Sequence, residues 1–215
     1  MLEKILSDLK PYSAKLVAVS KTRPNEAIQD LYHKGQRLFG ENRVQELVEK
    51  QEALPKDIEW HLIGHLQSKK AKAIAEFVSC IHSIDSQKLL EVVNKEAAKH
   101  DRMIDVLLQF KIAEEESKYG FDLESVTSLL DSETYKAMTN IRVCGVMGMA
   151  TFTDDTDQVR AEFKNLKKLF DHLRETQFAN DDNFKEISMG MSGDYPIALE
   201  EGSTMVRVGS LLFGG

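Results

Sequence analysis

Four prolines, two cysteines and one tryptophan occur in 215 residues, and each scarcity closes off a class of protein. Cys80 and Cys144 are too few to staple a small secreted scaffold; both sit in apolar runs of strand character, where a thiol is a small core residue, so no disulfide is expected. Four prolines and twelve glycines are too few for a collagen-like or low-complexity chain. No stretch approaches the ~20 consecutive apolar residues that span a bilayer, and the opening MLEKILSDLK has no long apolar core before a small-residue cleavage site. A cytoplasmic protein without a membrane partner is expected. Positive charge is also in deficit: 28 Lys and Arg against 35 Asp and Glu leave a net charge of −7, which argues against a nucleic-acid partner. Two chemical signatures are missing as well, a strand followed by GxGxxG and an HExxH helix.

What is present suits an α/β protein. With 42% apolar and 29% charged residues the chain can bury a full core under a solvated surface, and its length fits a single domain over residues 1–215. An opening helix over Leu2 to Lys10 is expected to stop at Pro11. Short runs rich in β-branched and apolar residues then alternate with longer segments of helical spacing. The runs are Leu16 to Ser20, Arg37 to Phe39, Trp60 to Ile63, Cys80 to Ile84, Asp105 to Lys111, Arg142 to Met147, Lys185 to Met189 and Met205 to Val208. Between Thr156 and Phe178, Val159, Phe163, Leu166, Phe170 and Leu173 recur at steps of four and three, one apolar stripe on a helix. A further helix is expected over Pro24 to Lys34, with proline near its first turn and Gly35 beyond its end. Eight strand and helix units with right-handed crossovers predict a parallel (β/α)8 barrel of the TIM type with an extra N-terminal helix; without GxGxxG, an open dinucleotide-binding sheet has little support.

In such a barrel, reactive residues stand at the C-terminal ends of strands. That rule selects Lys21, Asn42, His61 and Gly64, Ser83, Lys111, Met147, the stretch Ser188 to Gly193, and finally Arg207, Gly209 and Ser210. Lys21 is expected at the barrel mouth, where partial desolvation would free its amine to attack a carbonyl; the alternative is an ordinary solvated lysine. SMGMSGDY (Ser188 to Tyr195) reads as a small-residue loop turning from a strand into a helix, in which Gly190 and Gly193 allow close backbone approach and Ser192 offers a hydroxyl. VRVGS ends the eighth strand. Barrels of this type hold phosphate between the loops after strands seven and eight, although two plain tight turns would look the same. His61 and His65 form an HxxxH pair, but Gly64 interrupts it and no third ligand is evident, so no metal is expected. Lys69, Lys70 and Lys72, and Glu114 to Glu116, read as solvated charge. Met147, Met149, Met189 and Met191 suit core packing or a pocket lining.

VAVSKTRP (Val17 to Pro24), FGENRVQE (Phe39 to Glu46), WHLIGHLQSKK (Trp60 to Lys70), HSIDS (His82 to Ser86), SMGMSGDY and STMVRVGSLLFG (Ser203 to Gly214) together resemble the pyridoxal 5'-phosphate homeostasis protein family. The motifs run in order over nearly the whole chain. That family is similar to the N-terminal barrel of alanine racemase, the type III fold of pyridoxal-phosphate enzymes. The resemblance implies that Lys21 carries pyridoxal phosphate as a Schiff base, that Asn42 lies beside the ring, and that Ser192, Gly193, Gly209 and Ser210 hold the phosphate. Arg207 is implied to bond either the phosphate or the pyridine nitrogen. It further implies a protein without established catalysis that balances vitamin B6 pools, with pyridoxal-phosphate-dependent apoenzymes as candidate recipients. Racemases carry a second, mostly β domain whose tyrosine opposes the lysine. Here Gly215 directly follows the eighth strand, so a monomer without that domain is expected. The competing readings are an amino-acid racemase or other weak pyridoxal-phosphate enzyme, and a phosphate-binding barrel that uses no pyridoxal.

Overall fold

The structure, a computed structural model, describes residues 1–113 and 120–214. Glu114, Glu115 and Glu116, read above as solvated charge, lie outside the described residues.

Eight strands alternate with helices as the β-branched runs require. They are β1 (Lys15–Val19), β2 (Leu38–Glu41), β3 (Glu59–Leu62), β4 (Cys80–Ile84), β5 (Ile104–Gln109), β6 (Ile141–Met147), β7 (Glu186–Met191) and β8 (Met205–Val208). Every strand pairs in parallel with its neighbour, and β8 returns to β1 with Val17 opposite Arg207 and Ala18 opposite Val208, which closes the barrel. This is the predicted architecture, and the N-terminal helix α1 (Leu2–Leu9) is present. Pro11 does not end the opening helical segment outright. It occupies an early position of a 3-10 turn over Lys10–Tyr12, where its missing N–H costs no bond, and Ser13 stops the turn in a left-handed conformation.

The crossovers follow the apolar stripes. Helix α2 (Asn25–His33) and α3 (Val44–Ala53) cover β1 to β3, while the β3–β4 connection is a 3-10 helix over Ser68–Ala73 that carries the Lys69, Lys70 and Lys72 charges. Helix α4 (Gln87–Ala98) is capped by Ser86, and α5 (Leu123–Asp131) by an Asp122–Ser125 capping box. A short α6 (Glu133–Lys136) precedes β6. The predicted stripe becomes α7 (Thr156–Glu175): Asp155 accepts from the N–H groups of Asp157 and Gln158, and Val159, Phe163, Leu166, Phe170 and Leu173 are buried. At about 1.5–3 kcal/mol for each buried Leu or Phe, that stripe holds the helix far more firmly than propensity does. Two short helices, α8 (Tyr195–Glu200) and α9 (Ser210–Phe213), follow β7 and β8. Among the described residues no helix is long and apolar enough to cross a membrane.

Strand alternation sorts the side chains into two cores. Leu16, Ala18, Ile81, Val106, Leu108, Ile187, Met189, Val206 and Val208 face outward into one large apolar cluster with the helices. The lumen is different. Cys80, Leu107, Cys144 and Met147 form a small separate cluster there, and the remaining space holds the buried polar groups His61, His82, Ser188 and Arg207. Both cysteines are free thiols, and burial pushes the Cys144 group up to about 12 and Cys80 well above its ordinary value, so both are un-ionised packing residues.

Candidate functional site

The C-terminal mouth of the barrel contains a cavity of about 760 Å³. Lys21, Asn42, Ser192, Gly193, Arg207, Gly209 and Ser210 all line it, so the seven residues singled out in the sequence converge on one space from β1, β2, β7 and β8. Met149, one of the methionines read as core or pocket lining, His65 of the WHLIGHLQSKK segment and Gln109 at the end of β5 also line it; of these, Gln109 carried no signal in the sequence.

Lys21 is exposed at the rim, which corrects the expectation that the protein itself desolvates it. Its backbone, by contrast, is held on both sides. Lys50, buried on α3, donates from Nζ to the Ser20 carbonyl at 2.7 Å, to Glu41 at 2.7 Å and to Glu46 at 2.6 Å. The Ser20 hydroxyl donates to Glu41 at 2.6 Å, and the Thr22 N–H, on a residue with φ of +61°, donates to Glu46. The peptide before Lys21 and the one after it are thus tied to one Glu41–Lys50–Glu46 cluster, and the lysine is presented from a fixed, locally strained turn. Burial raises the Glu41 carboxyl above its usual range, against the pull of the Lys50 ammonium and the Ser20 hydroxyl. Sequence reasoning missed this cluster; the i, i+4 spacing of Glu46 and Lys50 was the only trace, and surface pairs leave the same one.

Asn42 is half-buried, and Gly64 explains how its loop sits so close: a Cβ on Gly64 would lie 2.3 Å from the Asn42 carbonyl oxygen. Ser83 donates to the Gly64 carbonyl at 2.7 Å, which secures the same loop from β4. At the other rim, the Gly209 N–H donates to the Ser192 hydroxyl at 3.2 Å and ties the β7 loop to the β8 end. Gly193 has open space where a side chain would be, and the first turn of α9 starts at Ser210 with N–H groups that have no acceptor inside the helix. These rim features are suited to a small anion.

Several sequence expectations shift. β7 runs through Met191, two residues beyond the expected end at Met189, so Gly190 is a strand residue and only Ser192 to Asp194 turn. Gly190, with φ of +94°, accommodates the returning helix, since its Cβ would meet Ala198 at 2.6 Å. Tyr195 points away from the mouth and donates to Asp8 of α1 at 2.8 Å. Met147 packs in the lumen cluster, and Lys111 is exposed outside the cavity lining. His61 lies inside the barrel, whereas His65 is exposed beside Asp85, so the HxxxH pair is split. His61, Cys80 and His82 do bring ligand-type atoms within 4.8 Å of one another. Yet His61 Nδ1 and His82 Nε2 are 2.7 Å apart, a hydrogen-bond separation, whereas two nitrogens on a tetrahedral zinc stand roughly 3.3 Å apart.

Arg207 is the most unusual charge in the molecule. Only 4% exposed, it donates to the Ser188 hydroxyl at 2.6 Å and the Gly148 carbonyl at 3.1 Å, and among the described residues no carboxylate bonds it. Burial lowers the guanidinium to about 10, with the Asp194 carboxylate opposing the shift, so it remains a cation at neutral pH. A buried cation held by neutral acceptors beside a cavity is electrostatically prepared for an electron-rich ligand atom.

Comparison with known proteins agrees with this geometry. The alanine racemase N-terminal domain family matches residues 2–215. The pyridoxal phosphate homeostasis protein of Aquifex aeolicus is 41% identical over 203 residues, covering 94% of this chain and 86% of that protein, and the one from Vibrio alginolyticus is 40% identical over 209 residues, covering 95% and 87%. Among solved structures, PipY of Synechococcus elongatus PCC7942 with pyridoxal phosphate bound superimposes with a TM-score of 0.89 at 36% identity, covering 99% of this chain and 98% of that one. Alanine racemase of Clostridium difficile, at 17% identity and a TM-score of 0.70 over 100% of this chain and 55% of that one, shares the barrel fold. A closed barrel of this topology, matched at this identity over nearly its whole length, belongs to the pyridoxal phosphate homeostasis protein family.

Proposed function

We propose that this protein binds pyridoxal 5'-phosphate in the C-terminal mouth, attached covalently and reversibly to Lys21, and that it keeps the free cofactor in balance without catalysing a reaction of its own. One observation carries the reading: a lysine amine and a buried guanidinium hydrogen-bonded to the neutral Ser188 hydroxyl and Gly148 carbonyl open onto the same cavity. Pyridoxal phosphate, when bound, supplies a carbonyl to which an amine adds reversibly and an electron-withdrawing ring.

The residues present fit that group by depth. Arg207 lies opposite Val17 within the paired strands, below the end of β1 at Val19, while Lys21, Gly209 and Ser210 follow the strand ends at the rim. This arrangement supports phosphate contacts from Ser192, Gly193, Gly209 and Ser210, a place for Asn42 beside the ring, and Arg207 at the ring nitrogen. A guanidinium there opposes protonation of that nitrogen and weakens the ring as an electron sink, which suits storage better than carbanion chemistry. Racemisation also needs a proton donor facing the lysine. Among the described residues that line the cavity there is no tyrosine, and Tyr195 is engaged with Asp8, so the racemase reading lacks its second base. Exposed at the rim, Lys21 would hold the group where an incoming amine could reach it, which suits reversible release to a recipient apoenzyme.

Titration of cofactor-stripped protein with pyridoxal phosphate, followed by absorbance, tests the reading. A saturable visible band is expected. Arg207→Ala and Ser192→Ala should each keep the band but weaken retention about tenfold, the effect of deleting one charge-assisted or phosphate-directed bond. Failure to develop a band in excess cofactor would leave only an anion-binding barrel.

A further inference from the structure

The lumen of a (β/α)8 barrel is ordinarily filled by branched apolar side chains. Here a single hydrogen-bonded column crosses it. Arg207 Nη1 on β8 donates to Ser188 Oγ on β7 at 2.6 Å; Ser188 Oγ meets His82 Nδ1 on β4 at 2.9 Å; His82 Nε2 meets His61 Nδ1 on β3 at 2.7 Å. His82 and Ser188 are fully enclosed, and His61 and Arg207 are 5% and 4% exposed. The two ends open onto different spaces. Arg207 lines the C-terminal cavity, and His61 lines a second cavity of about 290 Å³ at the N-terminal mouth, with Lys15, Asp105 and Arg142 around it.

The column has one polarity that uses every hydrogen on it. A guanidinium has five donors and no acceptor, so Arg207 can only give a proton to Ser188. Among the described residues the buried Ser188 hydroxyl bonds no other acceptor, so its hydrogen goes to His82 Nδ1, which is then the bare nitrogen. The His82 proton is therefore on Nε2 and is donated to His61 Nδ1, and the His61 proton is on Nε2. Each group accepts from the cofactor side and donates away from it. A proton added to either ring would set two donors against each other or leave the buried Ser188 hydroxyl hydrogen without its acceptor, and burial opposes the same charge: His61 is lowered to about 3 and His82 well below its usual value. The column is neutral except at its Arg207 end.

We propose that Ser188 and His82 are positioning residues of the cofactor site, which fix the Arg207 guanidinium against the cofactor through a column of single proton polarity that reaches His61 and the N-terminal cavity. The proposal rests on the reading that Arg207 contacts pyridoxal phosphate, and it adds that two residues touching no ligand set that contact. Without Ser188, Arg207 keeps, among the described residues, only the Gly148 carbonyl as a hydrogen-bonded anchor, and its fork can rotate away from the ring. Without His82, the Ser188 hydroxyl loses its acceptor and can turn its hydrogen toward Arg207, where it would repel rather than receive the guanidinium.

Two measurements on the full-length protein test this. The first is ¹⁵N NMR of the histidine rings in the unsubstituted protein, which reads which nitrogen carries hydrogen. Both His61 and His82 are expected as the neutral form with the proton on Nε2; a proton on His82 Nδ1 would overturn the polarity and with it the column. The second is pyridoxal phosphate titration of Ser188→Ala, Ser188→Thr and His82→Leu. Ser188→Ala and His82→Leu should weaken binding roughly tenfold and displace the absorbance maximum of the bound cofactor, while Ser188→Thr, which retains the hydroxyl, restores both. Folded Ala and Leu variants with unchanged affinity and spectrum would overturn the proposal while leaving the binding reading intact. If the unsubstituted protein takes up no cofactor, both fall. Should the variants not fold, the NMR result still decides the column.

Discussion

Lys21 and Lys50 are 29 positions apart in the chain and show why residue type alone is a poor guide. Lys21 is exposed and, by this account, chemical; Lys50 is buried, multiply bonded and structural. Lys21→Ala should therefore remove the covalent link with little change in the melting temperature. Lys50→Met strands the Glu41 carboxylate and should cost about 3–5 kcal/mol in denaturant unfolding, part of which Glu41→Gln in the same chain should restore. Glu41 Oε2 is buried without a partner among the described residues, which adds to that liability. Its raised carboxyl contributes stability that is present below its unfolded value near 4.5 and lost as pH rises through the higher folded value. Lys21 was legible because an apolar run, LVAV, ends just before it and a barrel mouth follows. Lys50, Glu41 and Ser20 were not, because their partnership exists only once α3 packs on β1 and β2. The same holds for His82 and Ser188: a histidine and a serine among apolar strand residues do not announce that they meet across a lumen.

Elements were easier to read than their ends. All eight strands lie where β-branched runs fall, because a parallel strand buried on both faces leaves a continuous apolar segment. At β7 the expected strand ends at Met189, whereas it runs on through Gly190 to Met191. Gly190 adopts its positive φ inside the strand to admit α8, a tertiary demand that looks identical to a turn in sequence. The β3–β4 connection, a 3-10 helix, was likewise read as a turn of solvated lysines, since six residues carry too little periodicity to say more. Helix α7 was the clearest element, and its start at Asp155 predicts a measurable cap: Asp155→Ala leaves the N–H groups of Asp157 and Gln158 unmet and should destabilise the protein by about 1 kcal/mol.

At the scale of the whole molecule, one barrel presents a ligand-sized cavity at its C-terminal mouth and an unusually polar lumen beneath it. The lumen imposes a pH dependence. His61 and His82 have folded values far below the ordinary 6.5, so the unfolded chain binds more protons in the acid range. Their contribution to stability is present above about 6.5 and is lost as pH falls toward the folded values, near 3 for His61. The slope is about 1.4 kcal/mol per pH unit for each histidine, and His82→Leu should flatten unfolding stability measured between those limits. The central claim concerns the other end of the barrel: that Lys21, among the lysines of this chain, is the attachment point for pyridoxal phosphate. Borohydride reduction of the cofactor-loaded protein followed by peptide mass mapping tests it most directly. The account predicts one stoichiometric phosphopyridoxyl group on the peptide that contains Lys21, and none after Lys21→Ala. Label distributed over exposed lysines such as Lys69 and Lys70, or retained in full by the Lys21→Ala protein, would contradict it.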